Sequence, residues 1–254
     1  LELDLFALLF LAGAGFLAAF LDAIAGGGGL ISLPALLSVG IPPIAALATN
    51  KMQSVVGTTV AAITYWRRGY IKFKELIVPI ILTFVGSLFG AATAKSLDTN
   101  FLTLLVPILL IGVSLYFMLS PKMTDDARAE RLKFAIFAPV MGFVFGFYDG
   151  IFGPGTGSFF IAGFVTLFGL GLTRAVGNTK VLNAISNLAA LMFFILGGDV
   201  VWLAGGVMIV GQIAGGYLGA RTGMCFGAKL IKPLIVVISM AMAIRLLWPI
   251  VFPV

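Results

Sequence analysis

Stretches of apolar residues about as long as a bilayer is thick follow one another along almost the whole chain, and this restricts the fold more than any other feature. They fall at residues 5 to 21, 43 to 66, 76 to 95, 101 to 119, 173 to 197, 202 to 220 and 231 to 250. Three shorter or interrupted stretches, 22 to 40, 134 to 148 and 149 to 170, lie between them. A helix needs roughly 20 apolar residues to cross the hydrocarbon core, and lipid admits only backbone whose polar groups are satisfied internally. With 61% hydrophobic and 10% charged residues and a mean hydropathy of +1.15, the chain reads as an all-α polytopic membrane protein. Glu2 and Asp4 precede the first stretch, where a signal peptide would carry basic residues, so this stretch is expected to remain as a membrane helix. A single cysteine, Cys225, and the absence of histidine exclude an intrachain disulfide, a multi-cysteine or histidine-based metal site and Ser-His hydrolysis. No metal or cofactor is expected.

Eleven of the sixteen basic residues fall in three short polar segments. These hold Arg67, Arg68, Lys72 and Lys74; Lys122, Arg128, Arg131 and Lys133; and Arg221, Lys229 and Lys232. Short Lys/Arg-rich loops mark the cytoplasmic side, so the net charge of +6 reports orientation and not nucleic-acid binding. The turns at 96 to 100 and 197 to 201 are nearly free of Lys and Arg, which places them, and with them both termini, outside the cytoplasm.

The chain also repeats itself. At a shift of 127, Asp22, Gly26 and Gly28 fall on Asp149, Gly153 and Gly155; at 129, Gly40, Lys51, Gly69, Gly86 and Gly90 fall on Gly169, Lys180, Gly198, Gly215 and Gly219. Gly69 lies in an inside loop and Gly198 in an outside turn, so equivalent points lie on opposite faces and the halves are inverted. Inversion demands an odd number of crossings per half. Five fits, with a first repeat at 1–119, a cytoplasmic loop at 120–133 and a second repeat at 134–254. The alternative is eight spans in two parallel four-helix repeats, with each interrupted segment merged into the span before it.

Two features carry the functional reading. Asp22-Ala-Ile-Ala-Gly26-Gly-Gly-Gly29 and Asp149-Gly-Ile-Phe-Gly153-Pro-Gly155-Thr156-Gly157 are sequences that unwind a helix, and unwound backbone at membrane depth belongs in protein or beside a wet cavity. Gly28, Gly29, Gly155 and Thr156 are therefore candidate anion contacts at half-helix N-termini, against the plainer reading of close helix packing, which is preferred for Gly86, Gly90, Gly215 and Gly219. Lys51 and Lys180 are the second feature. Counted from Pro43 and Thr173, each lies roughly 10 to 12 Å into its helix, close to the midplane. Lys51, Ser54 and Thr58, like Lys180, Asn183 and Asn187, share one helix face. Thr49, Asn50, Gln53, Asn178 and Thr179 complete a set of hydrogen-bonding groups around the two ammonium ions. The plainer reading is that each lysine snorkels or pairs with Asp22 or Asp149 in a fixed internal ion pair. The two aspartates are candidates for binding a coupling proton or Na⁺, or for capping the broken helices. Arg174 and Arg245 are expected to be interfacial anchors.

In Asp22-x3-Gly26-Gly-Gly-Gly29, Pro42-Pro43, Ala48-Thr49-Asn50-Lys51, Gly153-Pro154-Gly155-Thr156-Gly157, and Gly169 followed by Asn178-Thr179-Lys180, the chain resembles the sulfite exporter TauE/SafE family of bacterial and archaeal anion transporters. The resemblance covers essentially the whole chain. It implies movement of a sulfur-containing oxyanion, sulfite or a small organosulfonate, across a prokaryotic plasma membrane. An alternating-access carrier, an anion channel using the same lysines, a carrier of another organic anion and an enzyme built on an Asp22–Asp149 dyad are the readings in play. The carrier is the expectation and the enzyme is not. The partners expected are a small anion and the lipid bilayer; lipid-facing and subunit-facing surfaces look alike in such a sequence, so a homodimer stays open.

Overall fold

The computed structural model describes residues 3–94 and 139–251, with isolated positions between them. The span expected at 101 to 119 and the basic loop at 120 to 133 lie outside the continuously described residues. The helices are α1 (Leu5–Ala25), α2 (Gly29–Ser38), α3 (Pro43–Arg67), α4 (Ile77–Ala94), α5 (Phe145–Ile151), α6 (Thr156–Thr166), α7 (Leu172–Leu196), α8 (Trp202–Phe226) and α9 (Ala228–Val251). A single 3₁₀ turn, Phe73–Glu75, precedes α4, and a π-helical turn, Val140–Val144, leads into α5. Among the described residues, α1, α4, α7 and α8 are long and apolar enough to cross a membrane by length and composition. The 25-residue α3 is as long, but Thr49, Asn50, Lys51, Gln53 and Thr58 dilute its apolar character, and all five are buried. Large apolar side chains such as Phe6, Leu9, Leu196 and Val210 face outward. Polar groups inside and hydrocarbon outside suit a protein dissolved in lipid.

Local chemistry sets the helix ends. Asp4 caps α1, its Oδ1 accepting from the Ala7 N–H at 2.7 Å, and Pro43 occupies the first turn of α3, where its missing N–H is harmless. Neither interrupted segment continues the helix before it. After the break at Gly26–Gly28, α2 turns back along α1, and Ala35 and Leu36 pack with Leu11 and Ala14. After the break at Phe152–Gly155, α6 turns back in the same way, with Phe159 and Phe160 against Phe145.

Glycines set the spacing between helices. Where neighbours are surrounded by lipid, close van der Waals contact takes over from the hydrophobic effect as the source of packing. Along α1 and α8, which run parallel, a Cβ on Gly15 would stand 2.6 Å from the Met208 carbonyl. Gly211, Gly215 and Gly219 meet the backbone at Ala12, Phe16 and Phe20. Along α4 and α5, also parallel, Gly86 meets Phe143 and Gly90 meets Phe147, while a Cβ on Gly146 would stand 2.6 Å from the Thr83 carbonyl. Gly86, Gly90, Gly215 and Gly219 are thus packing residues. The central helices α3 and α7 run antiparallel: Gly177 lies against Tyr65 and Ile71, whereas Leu47 and Ala48 cluster with Ala190 and Phe194.

Several sequence-based boundaries move. Arg221 lies inside α8, and Lys229 and Lys232 lie in the first turns of α9, with Gly227 at φ 52° between the helices. The expected polar segment there is two helix ends, because long basic side chains let a helix run past the hydrocarbon edge. Asp22 and Asp149 fall within α1 and α5, ahead of the breaks. Arg174, expected to snorkel, stands 3.9 Å from Glu75 Oε2 across the α3–α4 connection. The side chain of Arg245 lies outside the described residues.

Candidate functional site

The two breaks cross at the centre of the protein. Gly26, at φ 81°, lies so close to α6 that a Cβ on it would stand 2.6 Å from the Gly157 carbonyl carbon. Any side chain there would meet backbone that cannot swing away, in a conformation that L residues rarely adopt. Ser158 Oγ donates to the Ala25 carbonyl at 3.2 Å, tying α6 to the end of α1.

Each lysine of the central helices reaches an aspartate just before a break, and each pair joins the first part of the chain to the second. Lys51 on α3 donates to the main-chain carbonyl of Asp149 on α5 and stands 3.2 Å from its Oδ1. Lys180 on α7 donates to the main-chain carbonyl of Asp22 on α1 and to its Oδ2 at 2.8 Å. Both lysines are fully buried. An isolated ammonium in such surroundings is untenable, and the carboxylate together with a helix-terminal carbonyl compensates it. Helix ends supply both, because the carbonyls there carry the negative end of the helix dipole; the Asp22 carbonyl also accepts from the Gly26 N–H at 2.9 Å.

The pairs are not equivalent. Asp149 is 5% exposed in its side chain and accepts a further hydrogen bond from Ser186 Oγ. Asp22 is 15% exposed and accepts instead from the Gly28 N–H at 3.1 Å. Gly153, at φ 93°, packs against the first pair: a Cβ there would stand 2.7 Å from Lys51 Nζ.

Between the pairs lies a cavity of about 30 Å³, room for about two water molecules. Its lining includes Asp22, Gly28, Gly29, Asn50, Lys51, Ser54, Asp149, Thr156 and Asn183 from the set expected by sequence, and the polar stripe of α3 meets that of α7 there through Thr58 and Asn187. Other expected residues lie elsewhere. Thr49 Oγ1 accepts from the Val201 N–H at 3.0 Å, so it serves the entry to α8. Gln53 stands behind Asn50, donating to its Oδ1 at 2.7 Å and to Ser54 Oγ at 2.9 Å. Asn178, Thr179 and Gly155 are buried outside the lining, with Asn178 Oδ1 and Thr179 Oγ1 lacking hydrogen-bond partners among the described residues. Lys180 meets the cavity through Asp22.

Three polar residues at the site escaped the sequence reading. Ser32 on α2 donates to Asn50 Oδ1 at 2.5 Å, Ser186 holds Asp149, and Gln212 on α8 lines the cavity. Ser186 lies three residues beyond Asn183, on the stripe's own face, and that spacing was a usable signal. Gln212 is one polar residue in an apolar span, with no pattern to single it out.

A family model described as Sulfite exporter TauE/SafE matches residues 11–246. The probable membrane transporter protein ORF9 of a Sinorhizobium species is 45% identical over 240 residues, 94% of this chain and 92% of its own. The probable membrane transporter protein YfcA of Escherichia coli strain K12 is 45% identical over 232 residues, 91% of this chain and 86% of its own. A probable membrane transporter protein of Haemophilus influenzae is 41% identical over 246 residues, 97% of this chain and 96% of its own. No solved structure matches. The family match runs through both breaks and both lysine pairs, and this multi-pass membrane protein belongs to the sulfite exporter TauE/SafE family, a family of membrane transporters.

Proposed function

We propose that the chain is a secondary carrier moving a small sulfur-containing oxyanion, sulfite or a small organosulfonate, across the plasma membrane by alternating access. The observation that carries this reading is the pair of buried Lys–Asp contacts, Lys51–Asp149 and Lys180–Asp22, flanking a polar cavity where two helix breaks cross. Intramembrane lysines are retained where they serve an ion pathway. The sulfur comes from the family description, and the anion from the lysines and the neutral donors of Asn50, Ser54, Thr156 and Asn183.

Two inverted repeats of five segments, with both termini outside, are the architecture we propose. Supporting it are the antiparallel course of α3 and α7, the crossed ion pairs, and glycine contacts that recur at the sequence shifts, Gly86 on Phe143 and Gly215 on Phe16. The return of α2 along α1 supports counting each hairpin as two segments, making ten. In such folds the two halves rock about a central site. A cavity of about 30 Å³ must widen to take a four-atom oxyanion, which is the step that rocking provides.

The site is charge-balanced, with two ammonium groups against two carboxylates. Adding an anion to a low-dielectric site without compensation is unfavourable. A proton taken up by Asp149 or Asp22 frees a lysine for the anion and restores the balance, so inward anion flux is proton-coupled in this reading.

The test is uptake of labelled sulfite and of a small organosulfonate into proteoliposomes, with and without an inward proton gradient, for wild type, Lys51→Ala and Lys180→Ala. Saturable flux, accelerated by the gradient and lost in either folded variant, is the expected result. Unitary currents would make the protein a channel, and normal flux in both lysine variants would reduce the pairs to structural ties.

A further inference from the structure

Gln212 on α8 lines the cavity, its amide beside Gly57 of α3. The residue is 3% exposed, and among the described residues no protein group hydrogen-bonds its side chain. The amide faces the cavity and is not sealed in protein, so its hydrogen-bonding groups are left for whatever occupies the cavity. The chain has made room for it. Gly57 of α3 lies directly against the amide, and a Cβ built on Gly57 would overlap Gln212 Oε1. The α3–α8 contact is close elsewhere as well: a Cβ on Gly216, one turn along α8, would stand 2.7 Å from the Gly57 carbonyl.

The corresponding place in the other half is built differently. At the sequence shift of 129, Gly57 answers to Ser186 and Gln212 to Thr83. Ser186 uses its hydroxyl on Asp149, whereas Gly57 has no side chain to offer Asp22, and the notch it leaves is filled by the glutamine. Ser186 is thus committed to an internal ion pair, and of the counterparts Thr83, whose Oγ1 has no hydrogen-bond partner among the described residues, and Gln212, only Gln212 lines the cavity.

We infer that Gln212 is a substrate-binding residue that selects among anions by donating its Nε2–H to an oxygen of the bound oxyanion. The inference rests on the cavity being the anion site. A neutral donor suits that role because it adds directionality without disturbing the balance of two lysines and two aspartates. The ligand class it fits has at least three oxygens on one centre: two are left to Lys51 and the neutral donors across the cavity, and a third faces Gln212. An anion with only two such oxygens leaves the amide unpaired and binds less well.

The experiment measures initial rates of sulfite uptake into proteoliposomes over a range of concentrations, for wild type, Gln212→Met and Gln212→Glu, with acetate as a competing two-oxygen anion. Methionine keeps the length and volume without the donor, so KM for sulfite is expected to rise about ten- to hundredfold, the worth of one hydrogen bond to a charged group, with the maximal rate within a few-fold. Acetate should compete better in Gln212→Met, relative to sulfite, than in wild type. Gln212→Glu, which places a carboxylate in the same notch, should lose uptake while still eluting as folded protein. Gln212→Ala with Gly57→Ala provides the internal control, since the shorter side chain leaves space for the new methyl group. It should fold, and it should show the raised KM. Wild-type kinetics in Gln212→Met, or a lowered maximal rate with unchanged KM and selectivity, would overturn the role of Gln212 and leave the carrier intact. Wild-type protein that moves no sulfite, and whose Lys51→Ala form behaves identically, would overturn the anion site itself and the inference with it.

Discussion

Replacing Asp149 with asparagine isolates the electrostatic part of the Lys51–Asp149 contact. The substitution keeps the shape and one side-chain oxygen, which can face Lys51 Nζ only if the amide NH2 takes the place of the oxygen that Ser186 donates to, and the main-chain carbonyl that Lys51 also reaches is untouched. What disappears is the countercharge of an ammonium that is 1% exposed. Breaking a buried pair by removing one partner costs about 3–5 kcal/mol, and the retained side-chain oxygen and main-chain carbonyl argue for the lower end, about 3 kcal/mol. For a chain of this size that corresponds to a fall of roughly 6–12 °C in the midpoint of thermal unfolding, measurable in detergent by loss of the monodisperse peak after heating. Asp22→Asn should cost about half as much, because its carboxyl group is 15% exposed against 5% for Asp149 and solvent shares the load. Adding Lys51→Met to Asp149→Asn removes the orphaned charge and should recover most of the loss, to within about 1 kcal/mol of wild type. Equal effects at Asp22 and Asp149, or a double variant no better than Asp149→Asn alone, would refute the view that each aspartate compensates a buried ammonium.

Gly26→Ala combines a left-handed φ with a Cβ 2.6 Å from the Gly157 backbone; it should destabilise by about 3 kcal/mol or more, seen as loss of monodisperse protein, whereas Gly69→Ala, at φ 79° in open space, should cost only about 1 kcal/mol. Thr49→Val removes the hydroxyl that receives the Val201 N–H and should lower stability by about 1 kcal/mol while leaving KM for the anion within twofold, since Thr49 does not line the cavity. Cys225 is exposed at the end of α8, so a membrane-impermeant maleimide should label it in inside-out vesicles and not in right-side-out ones. Labelling from the other face would overturn the orientation read from the basic segments.

The chemistry of the site was legible in sequence because it rests on residues that a membrane segment rarely keeps. Lys51, Lys180, Asp22 and Asp149 stand out against hydrocarbon, and the glycine runs beside the aspartates mark where helices must stop. The partners within the pairs were not legible. That Lys51 meets Asp149 and Lys180 meets Asp22 follows from α3 and α7 crossing between the two hairpins, and no local pattern encodes a crossing. The placement of Thr49 was not legible for a related reason: its side chain shares the lysine's neighbourhood in sequence, but its hydroxyl meets the Val201 N–H at the α7–α8 connection. Gln212 needed its complement at Gly57, on a helix more than 150 residues earlier, before it could be told from any other polar residue in a span. Helix ends were harder still, since basic side chains at 221, 229 and 232 look like a loop and sit on helices.

The crossing of the pairs has a consequence for how such a site could move. Each lysine belongs to a long central helix, and each aspartate to the end of a broken helix in the other part of the chain, so neither part holds a compensated charge by itself. Separating them on one side of the cavity would strand an ammonium unless an anion arrived to replace the carboxylate, or a proton neutralised it. Under the proposed mechanism the energetic barrier to opening an empty site is therefore supplied by the same groups that bind the substrate. In that mechanism an anion would lower the barrier by substituting for an aspartate, and the second pair, still closed, would keep the other side sealed. In the same mechanism the pair more open to an entering anion is Lys180–Asp22, whose carboxyl group is 15% exposed against 5% for Asp149, although its Nζ–Oδ2 distance of 2.8 Å is the shorter.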